Sequence, residues 1–441
     1  MEGRLLLKNC ALFRPDGRIR RGMAVLVDGG LIRRVAPDAE LPVLPGDWEV
    51  ACRGRLVSSG LVDGHSHLVG AQVRASSADA LLHPPHLRLQ ELARREARLT
   101  VSDVETLTTF GLARAVRSGV SLVVDHLSLP HDVAGGLAAQ ARAAERLGVR
   151  LVASHSTRGR GEDPDVLAQL EANAAFATAQ RDHPLVRGAL GFHSSSTSDD
   201  ALLRWLGRTR EETGLPVVFH LSENDDDLAT TFSLYGRRVV PRLEAFGLLG
   251  PGVVAAYARL IDRSEAERLA RSRTFLALSP QVSLLTELGT SGLEAAFSTQ
   301  ALLGLATSGQ GALRDTLLAA LLSIMQLARV GRLIDPDSIL GQLMIDGPAE
   351  LCTLLYGAPS GAVEAGRLAD LVVYDHVPVE DSQSSLAPSL SAELANARAA
   401  WTIVNGRVLM REGQVLGVDY LDLAEDVRAI LTRVRREPSA A

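Results

Sequence analysis

The spacing of apolar residues changes character twice along the chain. From residue 4 to residue 36, short apolar runs alternate with turn residues: Leu5-Leu6-Leu7, Ala11-Leu12-Phe13, the Pro15-Asp16-Gly17 turn, Met23 to Val27, Asp28-Gly29-Gly30 and Leu31 to Val35. The same rhythm returns at Ala369 to Asp375, Thr402 to Leu409 and Glu412 to Val415, so both ends are expected to build one small antiparallel domain. Between them, apolar runs of strand length alternate with helical stretches, as successive βα units require. Strands are predicted from Leu61 and at Val120–Val124, Arg150–Ala153, Val186–Phe192, Pro216–Leu221, Gly252–Ala256, Thr274–Leu278 and Ala301–Leu305. Eight strands of this kind predict an α/β barrel, whose working residues sit at the C-terminal strand ends.

Helices are expected to open with a cap at Thr100-Val101-Ser102-Asp103 and again at Ser264-Glu265. Leu313 through Val330 is Leu/Ala-rich but carries Arg314, Asp315 and Arg329, and is predicted to be a packed helix and not a membrane span. Leu421 to Arg436 reads as an amphipathic charged helix, followed by a loose tail.

Composition sharpens this. The chain has 441 residues, 46% of them apolar but only 4% aromatic, so its core is built from Leu, Val and Ala, as in helix-covered parallel sheets. A net charge of −6 with both signs interspersed gives no electrostatic footprint for nucleic acid or an anionic membrane. No signal peptide is recognised at the start and no uncharged apolar run reaches about 18 residues, so a soluble, cytoplasmic protein is expected. Cys10, Cys52 and Cys352 are odd in number and far apart, and are read as buried thiols. Lys8 is the only lysine.

The candidate chemistry starts where the first barrel strand ends, at Leu61-Val62-Asp63-Gly64-His65-Ser66-His67. Alternate strand residues face the same side, so His65 and His67 are expected to project together and chelate a metal through neutral imidazoles. Gly60 and Gly64 are read as bracketing the turn, and Asp63 as a carboxylate that orients one imidazole. Phe219-His220-Leu221-Ser222-Glu223 supplies a third nitrogen ligand in His220 and an acid/base in Glu223. His193, at another strand end, is a candidate donor to a substrate oxygen. The polar stretches Gly159 to Asp163 and Asn224 to Asp227 are candidates for the mouth of the site, without implied specificity.

With these residues in place the chain resembles the amidohydrolase superfamily, in its aminohydrolase branch of chlorohydrolases and guanine or cytosine deaminases, and most of all the SsnA-type aminohydrolases. The resemblance rests on Gly60 to Leu68, Leu185 to His193, Phe219 to Glu223, Tyr235 to Val240, Phe246 to Pro251 and Gly366 to Val373. It implies a distorted TIM barrel with a β-sandwich made from both termini, with residues 1–57 and 358–420 in the sandwich, 58–357 in the barrel and 421–441 as helix and tail. It also implies a homodimer acting on a small molecule, and one Zn or Fe that activates water against a C–N or C–Cl bond. His65 and His67 match the first-strand ligands, His220 the fifth-strand ligand, Glu223 the proton shuttle and His193 the substrate-side histidine.

Two positions depart from the family pattern. Tyr257 stands where the sixth strand has a histidine, and Ser308, in Ala306-Thr307-Ser308-Gly309, where the eighth has the aspartate that touches the metal and takes a proton from its water. A serine hydroxyl is too weak a base for that task near neutral pH. A carboxylated lysine bridging two ions is excluded, because Lys8 lies in the terminal sheet. His126 and His155, at the second and third strand ends, are accessory candidates, read first as loop or supporting residues. Two functions stay open on this sequence: a divergent hydrolase of C–N bonds in a small polar or heterocyclic substrate, and a catalytically inactive relative kept for binding or partnering. A lyase or isomerase using Tyr257 or His155 has less support.

Overall fold

The computed structural model describes residues 4–75, 92–285, 291–332, 335–379, 393 and 397–435. The first five strands are β1 (Leu5–Phe13), β2 (Ile19–Asp28), β3 (Leu31–Pro37), β4 (Trp48–Ala51) and β5 (Leu56–Ser59). β2 and β3 are joined at Gly29 and Gly30, with φ of 58° and 75°, the left-handed pair that a two-residue hairpin requires. The barrel follows as β6 (Leu61–Ser66), β7 (Val120–Leu127), β8 (Arg150–His155), β9 (Val186–Gly188), β10 (Leu190–Ser194), β11 (Val217–Leu221), β12 (Val253–Tyr257), β13 (Phe275–Leu278) and β14 (Leu302–Leu305). Four strands close the order: β15 (Leu371–Tyr374), β16 (Ala399–Val404), β17 (Arg407–Arg411) and β18 (Gln414–Val415).

Both ends of the chain build one nine-stranded sheet, in the order β18-β17-β16-β15-β5-β1-β2-β3, with β4 also on β1. Residues from β1, β2, β15 and β16, among them Leu7, Val25, Val373 and Ile403, share one buried cluster, so distant parts of the sheet enclose a common core. Cys10 and Cys52 lie in it and Cys352 in the barrel, all buried free thiols.

The barrel strands are parallel and form two arcs, β6-β7-β8-β9 and β10-β11-β12-β13-β14. The single strand expected over Val186–Phe192 is interrupted at Ala189; its first half pairs with β8 and its second with β11. β14 meets β6 through side chains at the strand mouths: Thr307 donates from its backbone N and from Oγ1 to Asp63 at 2.8 and 2.5 Å, and Ser308 N donates to the His65 carbonyl at 2.9 Å. Side chains alternate along each strand. Leu122, Val124, Val152, Val218, Val254 and Ala256 fill the interior, while Val123, Leu151, Phe219 and Val253 pack outward under the helices.

The helix Val101–Arg117 carries the expected capping box between Thr100 and Asp103. The helix Arg263–Ser272 starts one residue before the expected Ser264, because Asp262 accepts from Glu265 N at 2.9 Å and acts as its cap. Leu313–Arg329 is helical, and among the described residues no helix is long and apolar enough to cross a membrane. The last helix, Tyr420–Arg435, packs Tyr420 on Phe110 and pairs Arg433 with Asp103; the tail expected beyond it lies outside the described residues.

Gly60 and Gly64 do not bracket a turn. Gly60 is the whole link between β5 and β6, and a side chain there would meet Ser121 Oγ at 2.5 Å; at Gly64 it would meet the Leu305 carbonyl at 3.1 Å. Both mark close approach of neighbouring strands. The sheet is tied to the barrel beside this link by a buried ion pair, Arg150 Nε to Asp370 Oδ2 at 2.9 Å, while the Asp370 carbonyl accepts from Gly60 N at 2.8 Å. Replacing Asp370 by Ala strands a buried guanidinium, so a loss of about 3–5 kcal/mol of stability is expected in denaturant titration.

Candidate metal centre

Three imidazoles from two distant strands meet at the mouth of the barrel. His65 Nε2 lies 3.2 Å from His67 Nε2 and 3.1 Å from His220 Nε2. The outer nitrogens fix the tautomers. His67 Nδ1 donates to the His126 carbonyl at 3.0 Å, and His220 Nδ1 donates to Glu223 Oε2 at 2.9 Å, so both rings turn a bare Nε2 lone pair towards His65. One N–H on His65 Nε2 can satisfy only one of those lone pairs. A cation satisfies them together, and zinc bonded to nitrogen at about 2.0–2.1 Å in a tetrahedron places its ligand atoms roughly 3.3–3.4 Å apart, close to these spacings. Nitrogen donors whose outer N–H groups are engaged suit a divalent metal such as zinc by their chemistry.

Burial works against protonation of the rings around His220. Burial, followed by the neighbouring imidazoles, holds His65 well below the ordinary histidine value, and burial likewise takes His67 down to about 3. His126 and His193 are also held well below it, first by burial and then by His220. Burial alone would raise the Glu223 carboxyl, but His220 outweighs it through charge and hydrogen bond and keeps Glu223 well below the usual carboxylate range. His193 stands beside His220 with ring centres 4.9 Å apart, its Nδ1 held by the Thr197 hydroxyl at 3.0 Å. His67, His193 and Glu223 are half-buried and face the opening, whereas His65, His126 and His220 are buried.

Tyr257 and Ser308 both reach this space. Tyr257 has φ of 76°, left-handed and strained for a bulky residue, and its ring lies 4.8 Å from that of His220. Burial, then the charge of Glu223, pushes its hydroxyl up to about 12, so it remains a neutral donor. Ser308 is buried and its Oγ lies 2.6 Å from Ser279 Oγ, closing a hydroxyl pair.

The accessory histidines part company. His126 enters the cluster, its Nδ1 3.4 Å from His220 Nε2, and ligand atoms of His65, His126 and His220 all lie within 4.8 Å of one another. His126 is thus a buried strand residue and not a loop one. His155 faces away: Nδ1 bonds the Thr157 hydroxyl at 2.8 Å and Nε2 accepts from Leu129 N at 3.4 Å. Asp63 orients no imidazole; it holds Thr307, and burial pushes its carboxyl up to about 7. Asn224 caps the helix Asp225–Tyr235, and Asp227 accepts from Ser196 N at 2.9 Å. Asp163 likewise caps the helix Pro164–Ala179.

Sequence reasoning passed over Asp125, which anchors the turn after His67 by accepting from Leu68 N at 2.6 Å and Gln140 Nε2 at 2.5 Å. Its signal was its position beside His126 on a strand of period two, which sends Asp125 outward to the helices when His126 points in.

The family profile described as amidohydrolase family matches residues 56–409. The chain belongs to the amidohydrolase family. This amidohydrolase is 26% identical over 434 residues to the 5-methylthioadenosine/S-adenosylhomocysteine deaminase of Syntrophobacter fumaroxidans, covering 96% of this chain and 95% of that one. It is 25% identical over 431 residues to the 5'-deoxyadenosine deaminase of Methanothermobacter thermautotrophicus, covering 94% and 96%. Its fold matches an adenosine deaminase from Xanthomonas campestris with bound zinc, at TM-score 0.81 and 19% identity over 98% of each chain. The E. coli guanine deaminase matches at TM-score 0.73 and 18% identity, over 93% and 98%.

The buried His155 yields a pH dependence. Burial takes its folded value down to about 3, below the ~6.5 of an unfolded chain, so the unfolded state takes up the proton first. Its contribution to stability is full above about pH 6.5 and is lost as pH falls towards 3. Denaturant titrations across this range should show a shallower acid decline in His155→Gln than in the parent protein.

Proposed function

We propose that this amidohydrolase is a metal-dependent aminohydrolase that replaces an amino group on a small heterocycle, of the adenine-nucleoside type, with oxygen from water. The observation that carries the reading is the convergence of the His65, His67 and His220 ring nitrogens, two with fixed tautomers, beside an ionised Glu223. The names of the two relatives described above, deaminases of adenine nucleosides, support this substrate class.

His65, His67 and His220 would hold the metal, zinc in the first instance and iron as the alternative. Bound there, the ion supplies Lewis acidity and lowers the pKa of water to near 7. Glu223, fixed through Oε2 by His220, takes the proton from the attacking water and delivers it to the leaving nitrogen. A C–O bond forms, the C–N bond breaks and ammonia departs. His193, with Nδ1 engaged by Thr197, offers Nε2 to the substrate. Tyr257 supplies a hydroxyl donor close to the same point. With Ser308 in place of the family's aspartate, Glu223 is the carboxylate assigned to move the proton.

Protein purified without chelator should contain about one zinc or iron per chain by elemental analysis. It should release ammonia from an adenine nucleoside, and Glu223→Gln should slow that release by at least about 100-fold. The Ser279–Ser308 hydroxyl pair supports a second reading, an inactive relative that binds without turnover. The two are separated by Ser308→Asp combined with Tyr257→His: a binding-only protein with an intact pocket gains deaminase activity from none. Absence of metal and of turnover in both forms overturns the hydrolase reading.

A further inference from the structure

His126 is the histidine that the resemblance leaves without a task. It sits on β7 in phase with Leu122 and Val124, whose side chains fill the barrel interior, so strand alternation delivers its ring to the centre. The ring is 1% exposed; Nδ1 lies 3.4 Å from His220 Nε2 and Nε2 has no hydrogen-bond partner. The contact of this buried ring with the centre is nitrogen to nitrogen, and its ligand atom lies within 4.8 Å of those of His65 and His220. The other two strand-end histidines differ. The Nδ1 atoms of His155 and His193 are engaged by the Thr157 and Thr197 hydroxyls; His193 also stands within 4.8 Å of the His220 and Glu223 ligand atoms, but it is half-buried and offers only Nε2, the atom left for substrate.

We propose that His126 is a further nitrogen ligand of the centre, coordinating through Nδ1 and compensating for the carboxylate missing at Ser308. The inference rests on the metal-dependent reading above. Three distances then run between neighbouring ligand atoms: 3.2 Å from His65 to His67, 3.1 Å from His65 to His220, and 3.4 Å from His126 to His220. These are three of the separations in the cluster, and the ligand atoms of His65, His126 and His220 all lie within 4.8 Å of one another; water would take a further position on the ion. Coordination through Nδ1 places the ring proton on Nε2. The His67 orientation survives changes to the His126 side chain, because His67 Nδ1 donates to the His126 backbone carbonyl.

An all-imidazole set has two chemical consequences. It is neutral, so the centre keeps the full double charge of its ion, where an aspartate ligand would cancel half. It also offers no hard oxygen ligand, so zinc is retained and manganese is rejected.

The test uses the full chain stripped of metal. Zinc affinity is measured by competition with a chromophoric chelator, and the coordination is read from the visible spectrum of the cobalt(II) form and from X-ray absorption of the zinc form. The parent chain is expected to bind one equivalent, with four imidazoles in the absorption data. His126→Phe should bind zinc at least about tenfold more weakly and shift the cobalt bands, while the unfolding temperature of its metal-free form stays at or above the parent's. His126→Asn repeats the test where phenylalanine is not accommodated. Unchanged affinity and cobalt spectrum in these variants, or three imidazoles in the parent, overturns the role of His126 and leaves the metal-dependent reading standing. Failure of the parent chain to bind zinc overturns both.

Discussion

Four imidazoles at the mouth of the barrel approach in pairs to 3.1–3.4 Å, and burial works against a proton on His65, His67 and His126. Facing lone pairs repel and desolvated rings lose their water, so this cluster is costly unless its surroundings hold it in place. Much of the nearby polar structure does so. Asp63 ties the first strand mouth to the eighth through Thr307, Asp125 pins the backbone just past His67, and the His126 carbonyl and Glu223 each take the outward N–H of a ring. Asp63 and Asp125 are buried deeply enough that burial raises their carboxyls to about 7 and about 6, a cost borne to keep the strand ends in register.

Tyr257 and Ser308 reach the site while leaving this support intact. Ser308 still donates its backbone N–H to His65, and its hydroxyl is absorbed by Ser279. Tyr257 occupies its place only through a left-handed backbone turn. A chain that had merely lost its site would have no need to keep a bulky residue in a strained conformation, with an ionised Glu223 opposite two tautomer-fixed histidines.

Much of this was legible in the sequence because strand alternation is a strict rule. His220 falls in phase with the inward Val218 of its own strand, and His193 and Ser308 keep the phase of the inward Ala189 and Ala306. The same count places His126 inside with Val124 and turns His155 outward with Leu151 and Ala153, which is why one joins the cluster and the other does not. Tyr257 shows where counting stops: it follows the inward Ala256 and is brought inside by a backbone torsion that no side-chain pattern announces. The partners of Asp63 and Asp125 depend on strand register and on helices far along the chain, and period alone does not supply those. The interruption at Ala189 was hidden for a similar reason, since an unbroken apolar run does not reveal which neighbour each half will pair with.

A single glycine separates the terminal sheet from the strand that carries His65 and His67. The sheet is therefore the abutment from which the first ligand strand springs, and the barrel cannot be lifted out of it intact. Chimeras that exchange barrels within this family would have to cut elsewhere, because a seam at Gly60 would leave two histidines cantilevered from a loose end.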